Sequence, residues 1–141
     1  MRIMAIDYGD VRTGIAVSDE SASIVGDAWV MQSKRMDDAA RVIADEAAVR
    51  GVSCIVVGYP KNMDGSVGSR AEKSERLAEL LRPLCDADVK LWDERMTTLG
   101  ANRVLSDVGM YGKKRKKTVD AVAASLILEG YLGTMRFGIL C

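Results

Sequence analysis

The hydrophobic period of this chain first changes near Asp37, and that change limits the folds open to it. Before it lie three short apolar runs, residues 2–7, 13–18 and 24–31, parted by Tyr8-Gly9-Asp10-Val11-Arg12 and by Asp19-Glu20-Ser21. Turn-rich intervals of that length join antiparallel neighbours, so the three runs predict a β-meander, with Gly26 marking a bulge in the third. From Asp37 onward Ala40, Ile43, Ala44 and Ala47 recur at helical spacing, acids stand in the first turn and Gly51 follows the last.

After that helix strands and helices alternate. Val52-Ser53-Cys54-Ile55-Val56-Val57 is almost continuously apolar and β-branched, the pattern of a central strand covered on both faces, and it stops at Gly58-Tyr59-Pro60. Residues 58–68 read as a polar, glycine-rich loop that ends in a capping box, Ser69 to Glu72. The helix begun there carries Leu77, Leu80, Leu81 and Leu84 as its stripe, ends with help from Pro83, and leads into a strand from Val89 to Glu94. Strand, helix, strand predicts a parallel crossover. Thr97 or Thr98 can cap a further helix bearing Ala101, Val104, Leu105 and Val108 and closed by Gly109. Past a basic run, Thr118 can cap a last helix from Val119 to about Leu132, with Val119, Val122, Ala123, Leu126 and Ile127 as its apolar face. The string βββ-α-β-α-β-α-α gives an α/β fold: a mixed five-stranded sheet, antiparallel meander plus parallel strands, flanked by helices. That is the ribonuclease H-like arrangement, a string that other α/β folds share.

At 141 residues, with two prolines and no Ser-, Pro- or Gly-rich tract, the chain is expected to form one domain over 1–141. No apolar run approaches the roughly 18 residues of a membrane helix, and the apolar start meets Asp7 too early for a signal-peptide core, so a cytoplasmic protein without membrane partners is expected. Three cysteines, Cys54, Cys85 and Cys141, fit a reducing compartment and match no zinc spacing.

The chain has no histidine, which removes Ser-His-Asp and Cys-His nucleophilic chemistry, histidine bases and histidine-ligated metals. Catalysis would rest on carboxylates, lysine, hydroxyls or a metal held by oxygen. Net charge is zero, but it is unevenly spread: seven basic residues face one acid between Arg95 and Lys117, leaving 13 basic and 19 acidic elsewhere. Such polarity lets one face hold a polyanion.

Three acids have the context of a site. Asp7 ends the first strand before a Gly-containing turn, where an Asp forms an Asx-turn or serves as a metal ligand at the strand's mouth. Glu94 ends the last strand; alternation puts Trp92 and Glu94 on one face and Leu91 and Asp93 on the other, so at most one of the two acids shares a face with a catalytic centre. Asp120 opens the last helix, where the macrodipole alone favours a carboxylate, yet Ala124 and Ile127 give its face an apolar character that asks for a counter-charge. Strand ends and a helix start are where α/β sheets gather their sites, and converging carboxylates repel unless a cation joins them. All-oxygen donors point to Mg²⁺ or Mn²⁺, ions that serve phosphoryl chemistry. The run Lys113-Lys114-Arg115-Lys116-Lys117, read as a charged loop, lies two residues from Asp120 and supplies phosphate-holding groups beside such a metal.

Taken together, Ala5-Ile6-Asp7-Tyr8-Gly9 with Arg12-Thr13-Gly14-Ile15-Ala16, Val57-Gly58-Tyr59-Pro60 with Asn62-Met63-Asp64-Gly65-Ser66, Asp93-Glu94-Arg95-Met96-Thr97-Thr98 and Lys117-Thr118-Val119-Asp120-Ala121-Val122-Ala123-Ala124 resemble the bacterial YqgF family. That family is described as Holliday-junction resolvases or pre-16S rRNA processing nucleases, and the four motifs run in order from residue 3 to about 132. The resemblance implies a ribonuclease H-like cytoplasmic nuclease whose metal-binding and catalytic acids are Asp7, Glu94 and Asp120, with Asp93 supporting. It also implies a nucleic-acid substrate and an association with pre-ribosomal particles. Arg12, Lys61, Asn62, Arg95 and Lys113 to Lys117 are the expected nucleic-acid contacts. Two positions depart from the pattern. Lys61 stands where the family usually has an aliphatic residue, and Ala123 stands where related junction resolvases have a further acid or a histidine. A three-acid set favours RNA processing over junction resolution.

Two other classes fit parts of the sequence. The segment from Asp7-Tyr8-Gly9 to Gly14-Ile15-Ala16 also looks like the phosphate hairpin of actin-like ATPases, which need two such lobes and more chain than this. A binding module that holds RNA without cutting it needs only the fold and the basic run. Monomer and homodimer are both open.

Overall fold

The computed structural model describes residues 1–32, 34–60, 68–93 and 112–136, with side chains in the last stretch from Ala121 to Met135. Its elements are β1 (Arg2–Asp7), β2 (Arg12–Ser18), β3 (Val25–Gln32), α1 (Met36–Arg50), β4 (Val52–Tyr59), α2 (Ser69–Leu81) with a 3₁₀ turn (Arg82–Leu84), β5 (Asp88–Asp93) and α3 (Gly112–Arg136). The helix expected between Thr97 and Gly109 lies outside the described residues.

The five strands form one sheet in the order β3-β2-β1-β4-β5. β1, β2 and β3 pair antiparallel, and β4 pairs parallel to both β1 and β5, so the meander and the crossover are both present. Opposite Val17 and Ser18 the β3 register steps from Asp27 to Val25, which leaves Gly26 unpaired as the bulge its residue type predicts.

Strand alternation divides the core in two. Met4, Ile6, Ile15, Val17, Ile55 and Val57 meet α1 and α2 on one face. Ile3, Ala5, Ala16, Cys54 and Val56 meet α3 on the other. β1 and β4 are therefore buried on both sides, as the unbroken apolar run of β4 requires. Among the described residues no helix is long and apolar enough to cross a membrane.

The helix ends show where sequence signals hold and where they yield. Gly51 adopts φ 66° and its N–H reaches the carbonyls of Ala47 and Ala48, a left-handed cap that glycine provides without strain. The capping box at Ser69 does not form: Gly68 is the cap and Ser69 is already helical, with the Glu72 N–H bonded to the Gly68 carbonyl at 3.1 Å. Leu84 leaves the predicted stripe because α2 tightens to a 3₁₀ turn around Pro83, and it is 48% exposed. The last helix starts at Gly112, well before the Thr118 cap, so the run Lys113 to Lys117 occupies its opening turns and is no loop. Lysine and arginine are good helix formers, and nothing between 113 and 118 breaks the backbone. Its buried face is Ala124, Ile127, Leu128, Tyr131 and Leu132, rotated from the predicted one; Val122, Ala123 and Leu126 are half-buried at its margin.

Gly133 lies inside α3, and a methyl group there would meet nothing within 4 Å. Gly133→Ala is expected to stabilise the protein by about 0.5–1 kcal/mol, read as a higher midpoint in urea with unchanged slope.

Candidate carboxylate site at the strand ends

Asp7 closes β1, opposite Gly14 on β2, and by alternation it shares the α3 face with Ile3 and Ala5. Arg12, the first residue of β2, lies on that same face two residues beyond Gly14, which brings it to the end of the sheet that carries Asp7. The register continues across the sheet. Ile6 pairs with Val57, and Gly58 pairs with Trp92, so the ends of β1, β4 and β5 stand level.

On β5, Lys90 and Trp92 face α3, while Val89 belongs to the opposite core. Asp93 thus lies on the side away from Asp7. Glu94, Arg95, Lys61 and Asn62 lie outside the described residues. Asp120 and Lys113 to Lys117 have helical backbone within α3. Among the described residues no three metal-ligating side chains gather at one point.

The direction of α3 decides which end of the sheet position 120 approaches. Leu132 and Met135 line a cleft with Met1 and Ile24, at the start of β1. The Tyr131 hydroxyl meets Cys54, the β4 partner of Ile3. From there back to position 120 the helix climbs about 16 Å, and from Ile3 to Asp7 the strand climbs about 13 Å. Position 120 therefore comes level with the end of β1, on the stripe of Ala124, Ile127 and Tyr131 that faces the sheet. Ala123, half-buried on the same helix, offers no donor atom.

The turn after Asp7 is built for close approach. A Cβ on Gly9 would sit 2.3 Å from the Arg12 carbonyl oxygen, a contact no side chain tolerates. Lys73 of α2 reaches over to Asp10, its Nζ 2.8 and 3.0 Å from the two carboxylate oxygens. Tyr8 packs its ring against the α1/α2 core; burial, and then the charge of Asp10, raises its phenol pKa against an opposing pull from Lys73. At the end of β4, the Tyr59 hydroxyl donates to Glu75, which with burial pushes the phenol up to about 12. Two side-chain ties thus join α2 to the site end of the sheet.

A third cluster lies beneath the site on the α3 face. Lys90 Nζ donates to the Tyr131 hydroxyl at 3.3 Å, Cys54 Sγ lies 4.0 Å from the same oxygen, and Trp92 meets the Tyr131 ring edge-on with centroids 5.9 Å apart. The ammonium's hydrogen bond to Tyr131 raises the Lys90 pKa, and burial raises those of Tyr131 and Cys54. Neither this cluster nor the α2 ties could be read from motifs. The available signal was weak: Tyr131 extends the stripe that runs from Asp120 through Ala124 and Ile127.

The sheet order and its helices define a ribonuclease H-like fold. Over 95% of this chain and 98% of theirs, the coordinates resemble Thermus thermophilus RuvC at TM-score 0.56 and 12% identity. Over 96% and 99% they resemble the Fowlpox virus resolvase in complex with Holliday junction DNA, at TM-score 0.61 and 12% identity. In sequence, residues 1–134 match the RuvX family, described as Holliday junction resolvase. A protein of Halothermothrix orenii named "Putative pre-16S rRNA nuclease" is 46% identical over 132 residues, covering 94% of each chain. One of the same name from Geobacillus kaustophilus is 42% identical over 141 residues, 96% of this chain and all of that one. The chain belongs to the RuvX family, and by class it is a hydrolase, a nuclease.

Gly9→Ala is expected to cost about 1–3 kcal/mol, because the Arg12 backbone must move to admit the methyl group. Denaturant melts check this; an unchanged midpoint would show that the turn adjusts freely.

Proposed function

We propose that Asp7, Glu94 and Asp120 hold Mg²⁺ or Mn²⁺ and that the chain, acting as one domain over 1–141, cleaves phosphodiester bonds of structured RNA. What supports this reading is the direction of α3, which by its rise brings position 120 level with the end of β1 that carries Asp7. Lys90 and Trp92 of β5 face α3 on that same side of the sheet. The donor chemistry fits hard cations: three carboxylates, with no histidine anywhere in the chain and no thiol in the set. A divalent ion bound there supplies Lewis acidity, easing deprotonation of water and stabilising the leaving oxygen.

The remaining work falls to the chain's own groups. Lys113 to Lys117 hold the phosphates beside Asp120, and Arg12, Lys61, Asn62 and Arg95 take further contacts along the backbone of the nucleic acid. Asp93, on the opposite side of β5, supports the strand end. The substrate is the 5′ segment of pre-16S rRNA within pre-ribosomal particles in the cytoplasm, a reading supported by the name of the relatives at 46% and 42% identity. The family description favours a second reading, a four-way DNA junction.

End-labelled precursor rRNA and a four-way DNA junction, each with Mn²⁺, Mg²⁺ or chelator, separate these. Metal-dependent cutting of the RNA that Asp7→Asn abolishes is the expected outcome; preferential cutting of the junction supports the second reading. Salt-sensitive binding without cutting by the wild type would leave a binding module. Replacing Lys113, Lys114 and Lys116 by glutamine is expected to lower the slope of log affinity against log salt by about 2 to 3 on duplex RNA. An unchanged slope would remove the run from the interface.

A further inference from the structure

Two of the proposed ligands, Asp7 and Asp120, belong to different elements, β1 and α3, and only part of the spacing at the site end is set by backbone. Hydrogen bonds through β4 hold β1 to β5, and so fix Asp7 relative to the end of β5. α3 packs chiefly over β2, β1 and β3 and has far less to hold it over β4 and β5. Tyr131 is the described α3 side chain that spans this gap. It is 3% exposed, its hydroxyl lies 3.3 Å from Lys90 Nζ on β5 and 4.0 Å from Cys54 Sγ on β4, and its ring stands at 86° to Trp92. The ammonium donates to the phenol oxygen, and the phenol and the Cys54 thiol share a hydrogen bond in which either can donate, so one side chain ties the helix to two strands.

Position 131 is three helical turns from 120, on the same stripe, so the two share one angular setting about the helix axis. Side-chain ends lie about 5 Å from that axis, and a rotation of only about 5° carries them about 0.4 Å. Metal coordination tolerates errors of only about 0.2 Å. A small roll of α3 that left the other apolar contacts in place would therefore misplace the Asp120 ligand.

We propose that Tyr131 is a positioning residue: through Lys90, Cys54 and Trp92 it fixes the roll and spacing of α3 against β4 and β5, and with them the setting of position 120 relative to Asp7 at the end of the sheet. This rests on the reading of the three acids as ligands, and the measurement is chosen to tell the two apart. In the full-length protein, Mn²⁺ binding is followed without substrate by loss of the free-ion paramagnetic resonance signal. Wild type, Asp7→Asn, Tyr131→Leu, Tyr131→Phe and Leu77→Ala are compared, the last being a cavity in the opposite core that lowers stability without touching α3.

Tyr131→Leu is expected to weaken Mn²⁺ by about tenfold or more, the scale seen when groups that orient metal ligands are lost. Tyr131→Phe keeps the ring against Trp92 and is expected to bind more tightly than Tyr131→Leu; Leu77→Ala is expected to bind Mn²⁺ as the wild type does. Should Tyr131→Leu not fold, Trp92→Leu, at a half-buried position, removes the same contact from the other side and is expected to weaken Mn²⁺ likewise. Wild-type affinity in the Tyr131→Leu and Trp92→Leu variants, or an equal loss in Leu77→Ala, overturns the inference. A wild type whose Mn²⁺ binding is absent, or is untouched by Asp7→Asn, overturns instead the ligand reading beneath it.

Discussion

Everything at the site end of this molecule depends on β1 being buried on both faces. Met4 and Ile6 are sealed under α1 and α2, Ile3 and Ala5 under α3, and none of the four is exposed to solvent. A slip of one residue would exchange Met4 and Ile6 with Ile3 and Ala5 between the two cores, overpacking one and leaving voids in the other at about 1–3 kcal/mol per misfitted site. Register is therefore strongly specified. Asp7, the next residue on the Ile3–Ala5 side, inherits that precision without contributing to it. A carboxylate at the end of such a strand is held by packing that lies entirely behind it.

The same logic explains which parts of the molecule were legible in sequence. The central place of β4 follows from its apolar run, the bulge from Gly26 and the end of α1 from Gly51, because each is a local requirement with one cheap solution. Asp7 was legible for the same reason: it is the polar residue at which an apolar run stops. Glu94 and Asp120 were nominated by the same rule and by the family resemblance, but the contacts of their side chains belong to no described segment.

What escaped were helix ends, where competing local signals decide, and one feature set by tertiary contact. Ser69 to Glu72 has the letters of a capping box, yet Gly68 takes the cap and the serine becomes the first residue of α2. Leu84 fits the helical period but follows Pro83, and the change to a tighter turn carries it off the stripe. α3 runs past its expected start because a basic run has no backbone reason to end a helix. Lys90, Trp92 and Tyr131 come from two elements separated by some forty positions, and only the parallel register of β4 with β5 brings them under one site. No local pattern encodes such a meeting.

The opening turns of α3 carry the molecule's most uneven charge distribution. Five cations follow Gly112 in succession, where the helix dipole already presents its positive end. Each like-charge contact of this kind costs about 0.3–1 kcal/mol at low salt. Local propensity and the apolar stripe from Ala124 to Leu132 must outweigh that cost. A polyanion reverses the sign of the interaction, because a helix start and a run of cations both favour phosphate. Under the proposed function, binding of phosphates there and the holding of position 120 at the site end of the sheet would favour one another.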